Sequence, residues 1–475
     1  MLIILEVKHD DGKESAKAAI YNSIANIIVM LVGVLMIPIT TRILPTEDMG
    51  TAVSFNTIRN ICMYLFTLSM YSSIHKGMLD YKDEKKEFLS SIFIFGSAII
   101  VLLFIIYLPF KPIINNLLGF SDFLMYWLFI SIFLLMARTI GMNYLLFHNK
   151  YMLTFIITIL AGPFAQFFSI YLISTLKTNK YFGRILGLDV FNCIVGSVII
   201  VVLLLKGKFV IRKRYVKYAL TISLPLIPHL IAQIMLTQSD ILMINHFEGA
   251  SKTGIYSMAY TIGALLYTAL TQLMSAWSPW VYRRLEEGNI EPIYKNSKLL
   301  LLIGGILAVG LMAITPEMVN IFLDDSYKEC MYIIPSIVVG MFFQFIYLFF
   351  YDIEYFHKKT KYIAISSVIA AITNIILNLI FIPIFGYVAA GYTTAVGYLV
   401  LSLMHYIYMK KIDKRKIYDI NLMLTTSISV VIFAILMFIF INNIILRYSI
   451  FILGCFLIFI LVWKDIIKFL RVIRS

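Results

Sequence analysis

The chain has 475 residues, 61% of them hydrophobic, with a mean hydropathy of +0.89 and a formal net charge of +14. This composition excludes a water-soluble globular or disordered protein. In a soluble protein the charge would suggest nucleic acid. Here it lies beside helix ends (Lys206, Lys208, Arg212, Lys213, Arg214 and Lys217 are one cluster), where membrane topology and anionic lipid account for it without a nucleic-acid partner.

About fourteen apolar stretches follow one another, each long enough to cross a ~30 Å hydrocarbon core. The first seven are expected at 18–42, 50–75, 88–109, 122–147, 151–176, 184–205 and 216–245. The second seven are expected at 253–282, 297–322, 331–356, 361–383, 387–409, 419–441 and 447–469. With the N-terminus inside, 30 of the 40 Lys and Arg fall on the cytoplasmic side and 8 outside. The other two, Arg59 and Arg138, lie within spans. The positive-inside rule then predicts an even number of spans with both termini cytoplasmic.

The first 17 residues hold an apolar run of only four, Leu2 to Leu5, followed by Lys8, Asp10, Asp11, Lys13 and Glu14. That is not the pattern of a cleavable signal peptide, so the first span is the expected insertion signal. The longest outer connections are expected near 110–121 and 322–330, and no connection could hold a soluble domain. This argues against a glycosyltransferase or polysaccharide polymerase with a large outer domain. No GxxxxGK[ST] occurs, so no P-loop use of ATP is expected. Cys62, Cys193, Cys330 and Cys455 are far apart and form no metal or disulfide framework.

A weak internal repeat is readable. Arg42-Ile-Leu-Pro-Thr-Glu-Asp-Met-Gly50 and His246-Phe-Glu-Gly-Ala-Ser-Lys-Thr-Gly254 each place a glycine eight residues after a basic or His residue. His148-Asn-Lys-Tyr precedes the fifth span, and His357-Lys-Lys-Thr-Lys-Tyr precedes the eleventh. The offsets agree at about 204 and 211 residues. Spans 1–6 and 7–12 therefore read as two parallel copies, a transporter architecture. The expected domains are 1–205, 206–411 and an appended pair of spans in 412–475.

Several segments resemble a known family. Thr41-Arg42-Ile-Leu-Pro-Thr-Glu-Asp-Met-Gly50 is similar to the entry to the second helix in polysaccharide-export flippases. Gly254-Ile-Tyr256-Ser257 resembles their G-x-Y-S opening of helix 8. Asn374-Ile-Ile-Leu-Asn378, followed by Ile382-Pro383-Ile-Phe-Gly386-Tyr-Val-Ala-Ala-Gly391, resembles their joint between helices 11 and 12. Order and spacing hold over nearly the whole chain. The family is the O-antigen or capsule repeat-unit flippase branch of the multidrug/oligosaccharidyl-lipid/polysaccharide exporter superfamily. One departure is that Asp240 is followed by Ile241, where family members often carry a basic residue.

The resemblance implies an all-α polytopic membrane protein of about 14 transmembrane helices, with two six-helix pseudo-symmetric lobes in a V and two C-terminal helices. It implies transport of undecaprenyl-pyrophosphate-linked oligosaccharide from inner to outer leaflet of the bacterial cytoplasmic membrane by alternating access. The implied partners are the lipid-linked oligosaccharide and membrane lipids, with polysaccharide polymerase or chain-length machinery as further candidates. No bond is made or broken, so neither an enzyme nor a cofactor is expected, apart from a coupling proton or sodium ion.

Charge inside a span costs roughly 2.5–3.5 kcal/mol at a helix centre and usually faces a cavity or a partner. Asn56, Arg59, Asn60 and Met63 share one face of the second span. In the fourth, Arg138 shares a face with Ser131 and lies beside Thr139. Two permanently charged guanidiniums suit a pyrophosphate; the alternative is that each pairs with a carbonyl or carboxylate between helices. His229, Gln233, Thr237 and Asp240 form the longest polar stripe, in the seventh span after Pro225 and Pro228, which are expected to bend it. That stripe is a candidate cavity lining, and Asp240 a candidate ion carrier or an outer-surface carboxylate.

Gln344, Tyr347, Tyr351 and Glu354 lie close to one face of the tenth span, and the eighth carries Tyr260, Tyr267, Thr271 and Gln272. Amides and aromatics of this kind suit sugars, though interfacial belts use the same residues. Tyr267, Gln344 and Tyr351 join the candidate cavity set. Asp352 and Glu354 are expected to face water or Lys358, and Asp189 either to pair with Arg184 or to serve transport. Asn374 and Asn378 read as cross-helix structural amides. Other readings stay open: a lipid II flippase, a cation-coupled multidrug exporter, and, from another class, a membrane-bound sugar or acyl transferase.

Overall fold

The structure, a computed structural model, describes residues 9–206 and 209–456. Among them every regular element is helical, as expected. In chain order these are α1 His9–Ile43, α2 Thr46–Phe66, α3 Ile74–Asp80, α4 Lys85–Leu118, α5 Asp122–Phe147, α6 Tyr151–Thr175, α7 Tyr181–Lys206 and α8 Lys213–Ser223. The run Ile227–Glu286 contains the non-helical Gly249 (φ 83°, ψ 175°) and so forms two helices, α9 (227–248) and α10 (250–286). A residue with a Cβ would be strained at that φ. Then follow α11 Glu291–Phe322, α12 Ile334–Phe356, α13 Thr360–Phe385, α14 Val388–Ile412, α15 Ile420–Ile439 and α16 Ile444–Phe456. Ten of the described helices are long and apolar enough to cross a membrane, or eleven if the bent segment α8–α10 is counted as one span. The chain is a multi-pass membrane protein.

Several sequence expectations need correction. The second span was expected to run to residue 75, but α2 stops at Phe66. Leu68 and Ser69 take left-handed conformations (φ 47° and 49°), and the Thr67 and Ser69 hydroxyls bond the last carbonyls of α2, those of Met63 and Tyr64. The outer connection expected near 110–121 is mostly helix, because α4 continues through Pro109 and Pro112 to a left-handed Gly119 cap. The one near 322–330 is a 3-10 helix, Asp325–Tyr332, whose first turn is capped by Asp324. Pro225 interrupts the seventh span as expected, through the 3-10 turn Leu224–Leu226. Most of the expected span 447–469 lies outside the described residues.

The fold divides into two compact units between Ile234 and Met235. In the first unit α7 packs against α2, α5 and α6. Gly183 and Gly187 allow its close approach to α6: a Cβ at Gly183 would meet Ile173 N at 2.8 Å, and one at Gly187 would collide with the Ser169 backbone. On the same unit, Glu84 accepts from Tyr215 Oη at 2.6 Å and pairs with Arg212 and Arg214, fastening α8 to the turn before α4. The Tyr215 bond and the Arg214 guanidinium hold the Glu84 carboxyl below its ordinary range. In the second unit α12 packs on α14, which also packs on α13, and α15 packs on both α11 and α12. Phe342, Phe345 and Phe349 of α12 are fully buried.

Candidate functional site

In the first unit Arg59 leaves α2 toward Asp189 of α7. Its Nη1 donates to Asp189 Oδ1 at 2.5 Å and its Nη2 to Asn56 Oδ1 at 2.7 Å. The other Asp189 oxygen accepts from Trp127 Nε1 of α5 at 2.9 Å. Three helices thus meet at one buried carboxylate whose side chain is 3% exposed. Of the two alternatives for Asp189, the pair with Arg184 does not form; Arg184 donates to Gln166 at 2.8 Å. The two side chains are five residues apart, which on an α-helix points them about 140° from one another. Asn60, on the same stripe, is exposed.

Arg138 of α5 is outside that network. It is half-buried, its Nε is shielded from solvent without a hydrogen-bond partner, and no ion pair reaches its guanidinium among the described residues. Ser131, on the same face, is buried and bonds the Leu128 carbonyl of its own helix. Elsewhere in this unit an apolar groove of about 410 Å³ runs between α5, α6 and α7, lined by Leu145, Ile157, Ile194 and Val198, with Lys86 and Lys206 also on its wall.

In the second unit Asp240 does not reach a surface: it is 1% exposed. Tyr256 Oη donates to its Oδ2 at 2.7 Å, joined there by Thr394 Oγ1, and Asn378 Nδ2 donates to Oδ1 at 2.5 Å. Thr393 Oγ1 donates to Asn378 Oδ1. Asn374 takes a bond from Ser239 Oγ at 3.0 Å and gives one to Thr394 Oγ1 at 3.3 Å. Four helices, α9, α10, α13 and α14, therefore surround one carboxylate with hydroxyls and amides. No Lys, Arg or His bonds it among the described residues. The geometry allows a carboxyl group that holds a proton, or a carboxylate held by neutral donors alone. Tyr256 and Thr394 were not anticipated as its partners. The signal for Tyr256 was the G-x-Y-S segment, which converges here with Asn374 and Asn378 of the N-x-x-x-N segment; Thr394 lies in neither.

Of the remaining stripe residues, Gln233 and Thr237 are half-buried and lie on either side of the division between units, and the side chain of His229 falls outside the described residues. Gln344 is buried and Tyr351 half-buried. Tyr267 of α10 lies near Tyr347 of α12. Asp352 and Glu354, expected to face water or Lys358, are instead 2% and 0% exposed. Asp352 accepts from Ser278 Oγ at 2.8 Å and Tyr282 Oη at 3.0 Å. Glu354 meets His405 of α14, with Oε1 and Nδ1 3.1 Å apart. All four cysteines are free thiols, and no cluster of metal-ligating side chains occurs among the described residues.

This all-helical membrane fold is shared with transporters of the multidrug/oligosaccharidyl-lipid/polysaccharide exporter superfamily. The chain is similar to a structure of the lipid II flippase MurJ in an inward closed conformation. Its TM-score is 0.69 at 17% identity, covering 94% of this chain and 99% of the other. An inward-facing multidrug resistance MATE family transporter gives 0.61 at 14% identity, over 83% and 97%. The model for the polysaccharide biosynthesis protein family matches residues 15–285, more than half of the chain, and the chain belongs to that family. The MatE family model matches residues 225–380. An uncharacterized membrane protein of Haemophilus influenzae is 24% identical over 135 residues, spanning 28% of this chain and 33% of that relative.

Proposed function

We propose that the protein is a flippase that moves a polyprenyl-pyrophosphate-linked oligosaccharide from the inner to the outer leaflet of the bacterial cytoplasmic membrane. The reading rests above all on Arg138, a permanently charged guanidinium without an ion-pair partner among the described residues, inside a span of a polysaccharide biosynthesis family member. A buried cation of this kind is costly unless an anion visits it, and a phosphate offers its planar donors a matching acceptor. Arg59 already has Asp189 and would reach phosphate only by exchanging that carboxylate. The aromatic and amide side chains Tyr267, Gln344 and Tyr351 suit sugar rings. Asp240 and its amides and hydroxyls suit a coupling proton or sodium ion. Both termini are taken as cytoplasmic, on the distribution of Lys and Arg.

The test uses a strain lacking its own repeat-unit flippase, complemented with the wild type, Arg138→Ala or Arg138→Gln, with membrane levels matched. Restored surface glycan with the wild type, and cargo trapped in the inner leaflet with both variants, is the expected result. Normal export by both variants overturns the phosphate role of Arg138. A wild type that restores nothing, yet supports growth when lipid II flipping is depleted, would move the cargo to lipid II.

A further inference from the structure

The second unit holds a titratable pair that the reading above does not use. Glu354 of α12 and His405 of α14 are 0% and 1% exposed at their side chains, and their contact is a single one, Nδ1 to Oε1 at 3.1 Å. The far atoms, Glu354 Oε2 and His405 Nε2, are both buried without a hydrogen-bond partner. A purely structural carboxylate–imidazole pair usually has its outer atoms satisfied as well, because each unpaired one costs a desolvation penalty.

Among the described residues no other charged group bonds the pair. Tyr347 and Tyr351 of α12 place their rings 5.2 and 6.4 Å from the His405 ring, and Tyr267 of α10 lies near Tyr347. Asp352 turns away to Ser278 and Tyr282 of α10. On α14 itself, Tyr398 meets Tyr260, Tyr406 packs on Phe350, and Lys410 and Lys411 lie over Tyr406 and Tyr408. The charges of α11 are engaged elsewhere: Lys295 with Glu291, Lys298 with Asp419, and Glu317 with Arg447. Tyr418, before α15, bonds the Phe349 carbonyl, and Lys361 of α13 is exposed beside Tyr362, which stacks on Tyr408. On α10, Lys252 pairs with Glu329 and Arg284 with Glu287.

The charge balance of the pair is simple. Neutral imidazole with carboxylate carries −1. One added proton, on either partner, makes the pair neutral overall. In a buried site without a countercharge, the neutral composition is strongly favoured. We propose that Glu354 and His405 form a proton-carrying site that keeps one proton while α12 and α14 are closed and yields it to water when they hydrate. Its link to transport rests on the flippase reading, and it is separate from Asp240.

The first measurement needs no cargo. Full-length protein in lipid nanodiscs is followed from about pH 5 to about pH 8 by infrared spectroscopy of carboxyl groups and nitrogen NMR of labelled histidines, for wild type, E354Q, H405Q and D240N. The expected result is one proton retained at the upper end of that range. It would be seen either as a protonated carboxyl lost in E354Q or as an imidazolium lost in H405Q, and would be unchanged in D240N. Finding neither signal overturns the site. The second measurement is flipping of lipid-linked oligosaccharide in proteoliposomes with pH varied on one side. The wild type should respond about tenfold or more, and E354Q, a neutral mimic of the protonated acid, should flip without that response. A full pH response in E354Q overturns the coupling. A wild type that moves no cargo at all counts against the flippase reading, while the spectra still decide the proton site.

Discussion

Arg59→Ala should destabilise the protein sharply, and Asp189→Ala should largely rescue it. At 2.5 Å the Arg59–Asp189 attraction is of order 6–7 kcal/mol at an effective dielectric constant of about 20, before desolvation is subtracted. Desolvation removes most of that sum, so the pair itself adds little net stability. Breaking it is another matter. Asp189 is 3% exposed and would keep only the Trp127 N–H as a donor. Truncating one partner of such a pair costs about 3–5 kcal/mol. Removing both leaves no orphaned charge, only a cavity, a Trp127 N–H without its acceptor and an Asn56 Oδ1 without its Arg59 donor. The double variant should therefore be less damaged than Arg59→Ala alone, with a coupling of about 2 kcal/mol or more. A volume-matched apolar pair, Arg59→Met with Asp189→Leu, should approach wild-type stability or exceed it.

The assay is reversible or rate-controlled thermal unfolding of five proteins (wild type, Arg59→Ala, Asp189→Ala, the double alanine variant and the Met/Leu pair) in one detergent, repeated in nanodiscs, with surface-glycan export measured in parallel. Additive effects within about 0.5 kcal/mol would refute the reasoning, because they would mean that Asp189 is not stranded when Arg59 leaves. The export readout separates the two roles of Arg59. If the apolar pair is stable and exports normally, Arg59 is a fastening between α2, α5 and α7. If it is stable and inactive, Arg59 also serves the cargo.

Gly187→Val should impair assembly of the first unit by several kcal/mol, since the new side chain meets the Ser169 backbone rather than a movable side chain; protease resistance of the membrane-inserted protein reports it. Arg447→Lys should cost about 1–3 kcal/mol of thermal stability, because lysine cannot reproduce the two-pronged bond to Glu317 (3.0 and 2.5 Å) or the accompanying bond to the Ala313 carbonyl. Asp419 is the cap of α15, and its bond to Lys298 holds its carboxyl down at about 2. The folded value lies below the ordinary 3.8, so this stabilisation is complete above about pH 4 and disappears as the pH falls to about 2. Asp419→Ala should lose about 1–2 kcal/mol at pH 7, with the gap to wild type closing toward pH 2 in acid unfolding curves.

Helix type and approximate position were legible because they depend on local quantities: apolar length, charge flanks, and proline and glycine punctuation. Helix ends were less so. The stop of α2 at Phe66 is set by two left-handed residues and two hydroxyl caps inside a still-apolar stretch, and mean hydropathy does not register that. The polar stripes located real buried clusters, but a stripe states which residues share a face, not which helix that face meets. Arg59 found a partner 130 residues away and Glu354 one 51 residues away. His405 drew no notice because a lone histidine in an apolar span has no periodic signature. Position near a span end was also a poor guide to exposure. Asp352 and Glu354 lie within five residues of the end of α12 yet are buried, because α10 and α14 extend past them and supply Ser278, Tyr282 and His405. What a sequence leaves undetermined in a bundle of this kind is therefore the pairing of faces. Arg59 and Asp189 are explained by the partner that pairing supplies, whereas Arg138 has no ion-pair partner among the described residues.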